Sequence, residues 1–444
     1  MTPDGVARSL GTAPSVSGRA DRRWLAAIIV VGLLVRVAWG LYAVREPVGL
    51  HDPTFYRIFA DALAAGRGYQ LPDGQVTAYY PVGYPAALAS VYWLFDGLGW
   101  TGGRANLHFF LNLVAAGLSF PLLYVIGRRL FDHRVGLLAA AGLALMPNLV
   151  FHTSLALTET VFNTVALAAV ALVVSSPWDG RSNRSLAAFG ALVGIAALVR
   201  PPSLLFVPVL AVAGARAAGW RWRETGRSLI VPALAAAVVI APWTVRNIVV
   251  MDAPILISSN VGDNLCIGNN PDASGAFQTP PSCLEGYDHL ERPEYEVRRD
   301  NDGRAKALEF LVDEPARQLE LVPLRLYHTF REDTDGLDAA ESYGEDPFID
   351  ASLRRVLGIL ANVTFFVTLA LGVAAPALLR RREGTRDPGR TFVVLSGLSL
   401  ALTPLAFFGD PRFHVPVVPF LLLGAAALAV TGARRIGIRA PRTA

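Results

Sequence analysis

"WLAAIIVVGLLVRVAWGLYAV" (Trp24–Val44) decides how the rest of the chain is read. About 20 predominantly apolar residues, wound as an α-helix, cross the hydrocarbon core of a bilayer. This run is too long and wrongly flanked for a cleaved signal peptide, and no small-residue cleavage site follows it. It reads as a first membrane helix. Comparable runs recur at Ala105–Ile126, Val135–Leu155, Val161–Val174, Leu186–Leu198, Ser203–Ala215, Ser228–Thr244, Leu353–Leu379, Thr391–Phe408 and Val415–Thr431. Ten spans are expected. Three of the runs fall short of an unaided crossing, so they extend through flanking residues or re-enter.

Composition agrees. Of the 444 residues 53% are hydrophobic and only 17% charged, against about 25% charged in soluble domains. Mean hydropathy is +0.41. The charges cluster between the apolar runs, which excludes a soluble protein with a large core. A net charge of +4 raises the question of nucleic acid. The basic residues, nearly all arginine, lie in short interhelical clusters, a pattern of membrane topology; no nucleic-acid partner is expected.

Those arginines orient the chain. Arg19, Arg22 and Arg23 precede the first run, and "GRRLFDHR" (Gly127–Arg134) follows the second. "DGRSNR" (Asp179–Arg184), "RAAGWRWRETGR" (Arg216–Arg227), "RRREGTRDPGR" (Arg380–Arg390) and "ARRIGIRAPR" (Ala433–Arg442) follow the fourth, sixth, eighth and tenth. Every second connection is arginine-rich, which places both termini of a multi-pass membrane protein in the cytoplasm. The opposite, extracytoplasmic face then carries the more elaborate loops. The expected organisation is a disordered tail at 1–23, a transmembrane region at 24–245 with its first outer loop at 45–104, an extracytoplasmic cap at 246–352, a second transmembrane region at 353–432 and a basic tail at 433–444.

The first outer loop is more than a connector. In "GLHDPTFYRIFADALAAGRGYQ" (Gly49–Gln70), Asp52 and Pro53 form an N-cap and first-turn pair, and Phe55, Phe59 and Leu63 recur at helical spacing. "TAYYPVGYPAALASVYWLF" (Thr77–Phe95) is too short to span and ends in interfacial aromatics. Two juxtamembrane helices are expected. The long loop holds the only cysteines, Cys266 and Cys283; an oxidising compartment permits a disulfide there, the alternative being two buried thiols. Its "GNNPDASG" stretch lacks the spaced carboxylates of a calcium loop. No nucleotide-binding glycine motif or zinc-ligand spacing occurs in a supporting context. No cofactor is indicated, and a divalent cation is left open.

Polar residues at the outer ends of the runs are the candidates for chemistry. Asp52 sits at the membrane–water boundary, where it serves as a base, a helix cap, or both. Glu159, in "LALTETVFN", is expensive beside hydrocarbon unless paired, so it is either functional or an interhelical salt bridge. Arg200, Arg246 and Arg412 break the arginine-inside pattern; guanidinium suits a lipid phosphate, the alternative being contact with headgroups. Arg36 must face the bundle or reach inward. His51, Tyr80, Tyr84 and His414 are accessory candidates, with interfacial anchoring the competing role for the aromatic residues.

These pieces, in order, resemble the GT-C class of glycosyltransferases. The resemblance lies nearest the bacterial protein O-mannosyltransferase and aminoarabinose-transferase-like branch, which uses polyprenyl-phosphate sugars. It is carried by "HDPTFYRIFADALAAGRGY", "YYPVGYPAAL", "TET" (Thr158–Thr160), "VRPPSLLFVP" (Val199–Pro208), "APWTVRN" (Ala241–Asn247), "NLCIGNNPDASG" and "GDPRFHVPVVPFLL". It implies transfer of a sugar from a polyprenyl-phosphate donor to a hydroxyl of a glycan, lipid or protein, with inversion, and it places the base at Asp52. Relatives often pair Asp with Glu here; this chain has His51 and Pro53 on either side. Two other readings share the many spans: a polyprenyl-pyrophosphate-dependent polymerase or ligase, and a secondary transporter. For the transporter no repeat is found, and the charges lie at the outer ends of the runs instead of the midplane.

Overall fold

A computed structural model describes residues 19–435 apart from 179, 218, 288 and 384–386. The tails expected at 1–23 and 433–444 therefore lie mostly outside the described residues, and residues 19–23 already form the first turn of a helix. Among the described residues the secondary structure is helical, with only isolated bridges between extended segments. The helices are α1 (Arg19–Ala43), α2 (Asp52–Ala64), α3 (Gly83–Gly97), α4 (Arg104–Leu130), α5 (His133–Leu145), α6 (Pro147–Phe151), α7 (Glu159–Ser175), α8 (Asn183–Val199) and α9 (Phe206–Ala217). Then come α10 (Trp222–Met251), α11 (Val261–Gly268), α12 (Pro281–Leu284), α13 (Glu294–Asp313), α14 (Gln318–Phe330), α15 (Asp335–Ala340), α16 (Ala351–Glu383), α17 (Pro388–Ala401) and α18 (Val418–Arg435).

All ten apolar runs are helical, but they are not ten full-length spans. Among the described residues, five stretches, Ala20–Ala43, Arg104–Leu130, Trp222–Met251, Ala351–Leu379 and Pro411–Arg434, are long and apolar enough to cross a membrane. A sixth results if α5 and Pro147–Ser154, bent by 59°, make one span. The rest are cut short by local chemistry. Pro201 and Pro202 cannot continue a helix, so α8 stops at Val199 and a 3₁₀ turn leads into α9.

The bend at Pro147 explains the one charge inside the first span. Proline donates no amide hydrogen, so the Leu143 carbonyl four residues earlier lacks its helical partner. Arg36 fills that role: its Nη2 donates to Leu143 O at 3.1 Å and its Nη1 to Ala144 O at 2.5 Å. The guanidinium lies 4.9 Å from the Phe120 ring centroid. It is buried, facing the bundle.

The connections gather at two ends. At one, Arg390 donates to Leu130 O, Arg434 pairs with Asp132, and Arg227 donates to Arg181 O, tying together the arginine-rich segments. At the other, α2 and α3 pack together, the two helices anticipated in the first outer loop. Gly83 lets α3 approach α8, since a Cβ there would meet Leu198 O at 2.6 Å.

The long loop begins later than 246, because α10 continues to Met251 and ends on Asp252 in the left-handed region. Arg325 of α14 donates to Leu405 O at 2.6 Å and Gly268 O at 2.7 Å, and Gly409 N donates to Gly275 O at 2.7 Å, anchoring the loop on the connection between α17 and α18. The α11 and α13 backbones cross where Gly262 meets Gly303. Cys266 and Cys283 are joined in a disulfide, with Cα atoms 5.9 Å apart. With a sequence separation of 17, the double change Cys266→Ser, Cys283→Ser is expected to remove about 3 kcal/mol from the loop's stability. Faster limited proteolysis of the 252–350 segment would report it.

Candidate active site

Four residues distant in sequence meet at the end of the bundle where α2 and α3 pack. Asp52 opens α2, Glu159 opens α7, Arg200 ends α8, and Arg412 lies in the 3₁₀ segment Pro411–Val417 that leads into α18. Arg412 Nη1 donates to Asp52 Oδ2 at 2.5 Å, while its Nε donates to Glu159 Oε1. Arg200 Nη1 donates to the same Glu159 oxygen at 2.8 Å. Tyr80 OH donates to Asp52 Oδ1 at 2.7 Å. Burial, together with the neighbouring Asp52 carboxylate, holds the Tyr80 phenol well above the usual tyrosine range, so it stays a donor.

Exposure is graded across the cluster. The side chain of Asp52 is 30% exposed, those of Arg412 and Arg200 16%, and that of Glu159 1%. Asp52 and the arginines are reached from solvent; Glu159 is screened behind them. Two guanidinium groups balance two carboxylates, so the charges are paired, as burial requires.

The cap reading of Asp52 is corrected. His51 occupies the N-cap position without a side-chain cap bond, and Asp52 is the first helical residue. Its carboxylate turns away from the backbone amides to Arg412 and Tyr80 because a charged, oriented partner outweighs one capping hydrogen bond. Asp410, by contrast, does cap: its side chain accepts from Arg412 N at 2.8 Å and sets the backbone that presents Arg412.

Other candidates are brought elsewhere. Arg246 donates to Thr77 O at 2.6 Å and Tyr69 O at 2.8 Å and lies over the Trp243 ring, so it braces the first outer loop. His51 meets Glu345 at 2.9 Å and the Tyr343 ring, linking that loop to the end of the long one. Tyr84 is fully buried against Tyr56, inside the α2–α3 packing. His414 is buried between Phe365 and Phe330; its ring nitrogens contact Asp333 Oδ1 and Thr329 O, each at 2.7 Å. It holds the segment carrying Arg412 but does not touch Asp52.

Sequence reasoning missed the residues behind Glu159. His152 Nδ1 lies 4.0 Å from Glu159 Oε2, and its Nε2 contacts Asp335 Oδ2 at 3.0 Å. Asn148 Nδ2 donates to Asp333 Oδ1 at 2.7 Å and Asp335 Oδ1 at 2.8 Å. Burial would raise the Asp335 carboxyl, yet the His152 imidazole holds it below the usual carboxylate range. The available signal was Asn148 and His152, two polar residues at the end of an apolar run.

Glu296 connects the long loop to the site. It accepts from Thr77 Oγ1 and Ala78 N, both at 2.7 Å, and from Ser259 and Arg292, fixing the strand-like segment that carries Tyr80. Among the described residues, no group of three or more His, Cys, Asp or Glu is arranged to hold a metal ion.

Residues 88–245 match the sequence profile of a family described as dolichyl-phosphate-mannose-protein mannosyltransferase. The matched segment contains Glu159 and Arg200 but neither Asp52 nor Arg412. Among solved structures, the fold is similar to that of the archaeal oligosaccharyltransferase AglB from Archaeoglobus fulgidus in complex with an inhibitory peptide and a dolichol-phosphate. The TM-score is 0.53 at 13% identity, over 96% of this chain and 53% of that one. The apo form of the Archaeoglobus fulgidus oligosaccharyltransferase gives 0.54 at 14%, over 96% and 53%. ArnT from Cupriavidus metallidurans bound to undecaprenyl phosphate aligns over 95% of this chain and 81% of its own, with a TM-score of 0.42 at 15% identity. The chain spans about half the length of the oligosaccharyltransferase chains it matches. No curated protein sequence matches it. The resemblance to the GT-C class is borne out by the profile match and the shared fold.

Proposed function

We propose that this chain is an inverting glycosyltransferase on the extracytoplasmic face of the cytoplasmic membrane, moving a sugar from a polyprenyl-phosphate donor to an acceptor hydroxyl. One observation carries the reading: Arg412 joins Asp52, the accessible carboxylate, to Glu159, the buried one, with Arg200 alongside. Asp52 is the base. It takes the acceptor proton as the acceptor oxygen bonds the anomeric carbon from the face opposite the phosphate. The bond from that carbon to the phosphate oxygen breaks, and polyprenyl phosphate departs with the electron pair.

The cluster couples these events. As the proton moves onto Asp52, its charge disappears, and Arg412 is left facing Glu159 and the departing phosphate. Attraction for the leaving group therefore grows as that group gains charge, which is the condition for lowering a barrier. Glu159 does not touch the reacting atoms in this scheme; it positions the two guanidinium groups. Tyr80, a fixed donor, orients the Asp52 carboxylate.

The test uses the full chain in detergent with a polyprenyl-phosphate sugar. Transfer from the monophosphate, lost in Arg412→Gln through a raised donor KM of at least about tenfold, supports the assignment. Transfer only from a pyrophosphate donor would overturn it in favour of a polymerase or ligase.

A further inference from the structure

Beside the charged cluster lies a cavity of about 210 Å³ that the chemistry above does not use. Its walls include Phe55 and Phe59 of α2, Tyr79 and Tyr80 of the first outer loop, and Arg292 and Arg299 from the long loop. Tyr80 connects it to the reaction centre: its ring lines the cavity, while its hydroxyl holds Asp52 Oδ1. The other oxygen, Oδ2, is held by Arg412. The two carboxylate oxygens thus divide the site, with the arginines suited to phosphate on one side and the cavity on the other.

Despite its two arginines, the cavity is not built for an anion. Arg299 is held by Asp263 through two hydrogen bonds, at 2.9 and 2.5 Å, and donates to Tyr295 OH at 2.6 Å. Arg292 is paired with Glu296 and donates to Thr77 Oγ1 at 3.0 Å. Each guanidinium is matched by one buried carboxylate, so the lining is neutral in sum. What it offers is aromatic faces and edges beside oriented polar groups. A sugar ring presents the complementary surface, C–H bonds on its faces and hydroxyls around its rim. The volume lies below the roughly 300–1,000 Å³ typical of pockets for larger ligands and suits a single ring.

We propose that this cavity is the acceptor subsite and that it takes an uncharged pyranose, so that the acceptor is a saccharide. This rests on the reading of Asp52 as the base, since the acceptor hydroxyl must approach the Asp52 oxygen that faces away from the donor phosphate. Phe55 is three residues beyond Asp52, one helical turn along α2, so stacking on that ring places the sugar's hydroxyl rim within a turn of the base.

The test is saturation-transfer NMR on the full chain in nanodiscs, with methyl α-D-mannopyranoside, methyl α-D-glucopyranoside and methyl β-D-galactopyranoside as probes. Ring-proton saturation is expected for at least one. It should fall about fivefold in Phe55→Leu, which keeps apolar volume and loses the aromatic face. Leu71→Trp, which fills the cavity from its wall, should abolish it, and serves if the first variant proves unstable. Saturating undecaprenyl phosphate should leave the signal in place. Displacement by that lipid would overturn the proposal by making the cavity part of the donor site, and displacement by inorganic phosphate would make it an anion site. Saturation of a neutral serine-containing tetrapeptide, sensitive to Leu71→Trp and unaccompanied by any pyranoside signal, would overturn it in favour of a protein acceptor. No signal from pyranosides or peptide overturns it as well. Because binding needs no catalysis, Asp52→Asn should retain the pyranoside signal. Full transferase activity in that variant would sink the base assignment while leaving the cavity's ligand identified.

Discussion

Asp52→Asn is expected to lower sugar transfer by about 10²–10⁴-fold, the usual contribution of a positioned general base. The amide is nearly isosteric and still accepts from Arg412 or Tyr80 through its oxygen, but it cannot accept the acceptor's proton. The loss should appear in kcat at saturating donor, with donor KM little changed, because the phosphate is assigned to the arginines and not to Asp52. Single-turnover transfer from a polyprenyl-phosphate sugar in detergent would show it. Unchanged transfer would require another group to take the proton, and the structure offers poor substitutes. Glu159 is 1% exposed and occupied by two guanidinium groups, and Tyr80 is held protonated.

Glu159→Gln carries the second large effect, first on stability. The variant leaves Arg200 and Arg412 with Asp52 as their only anionic partner in the cluster. Removing one member of a buried charge network costs about 3–5 kcal/mol, because the remaining charges lose compensation without regaining water. A marked drop in the midpoint of thermal unfolding is therefore expected. The sharper prediction concerns rescue. On the proposed function, polyprenyl phosphate brings an anion to arginines that have lost one, so it should raise the midpoint of Glu159→Gln by more than that of the unaltered protein. Equal shifts in the two proteins would mean that the arginines do not meet the lipid phosphate. A larger shift in the unaltered protein would imply that Glu159 organises the phosphate site so strongly that charge replacement cannot compensate.

The charge layout makes these experiments separable. Asp52 is reached from outside and touches one arginine; Glu159 lies behind and touches two. A change at the first therefore leaves the scaffold in place, whereas a change at the second alters the scaffold before the chemistry. The network extends through His152 to Asp335 and Asn148, which fastens the segment before α16 to the bend after α5.

Much was legible from the residues because membranes tax charge heavily. Apolar length marked the helical runs, and the alternation of arginine-rich connections sorted the loops into two sets, which the contacts keep at separate ends. The same tax marked Glu159, Arg200 and Arg412: a charge at the outer end of an apolar helix must have a partner. What a linear reading could not assign was which partner. Arg246 and Arg412 look alike in sequence, each beside a membrane helix end, yet one is spent on backbone carbonyls of the first outer loop and the other on two carboxylates. The difference arises where α2, α7 and the 3₁₀ segment before α18 converge, a long-range event with no local signature. Asp52 shows the same division. Its type and position next to proline argued for a helix cap, and propensity by itself would have kept it there. Only the arrival of Arg412, 360 residues later, turns that carboxylate toward the site, because a charged, oriented partner outweighs a single capping bond.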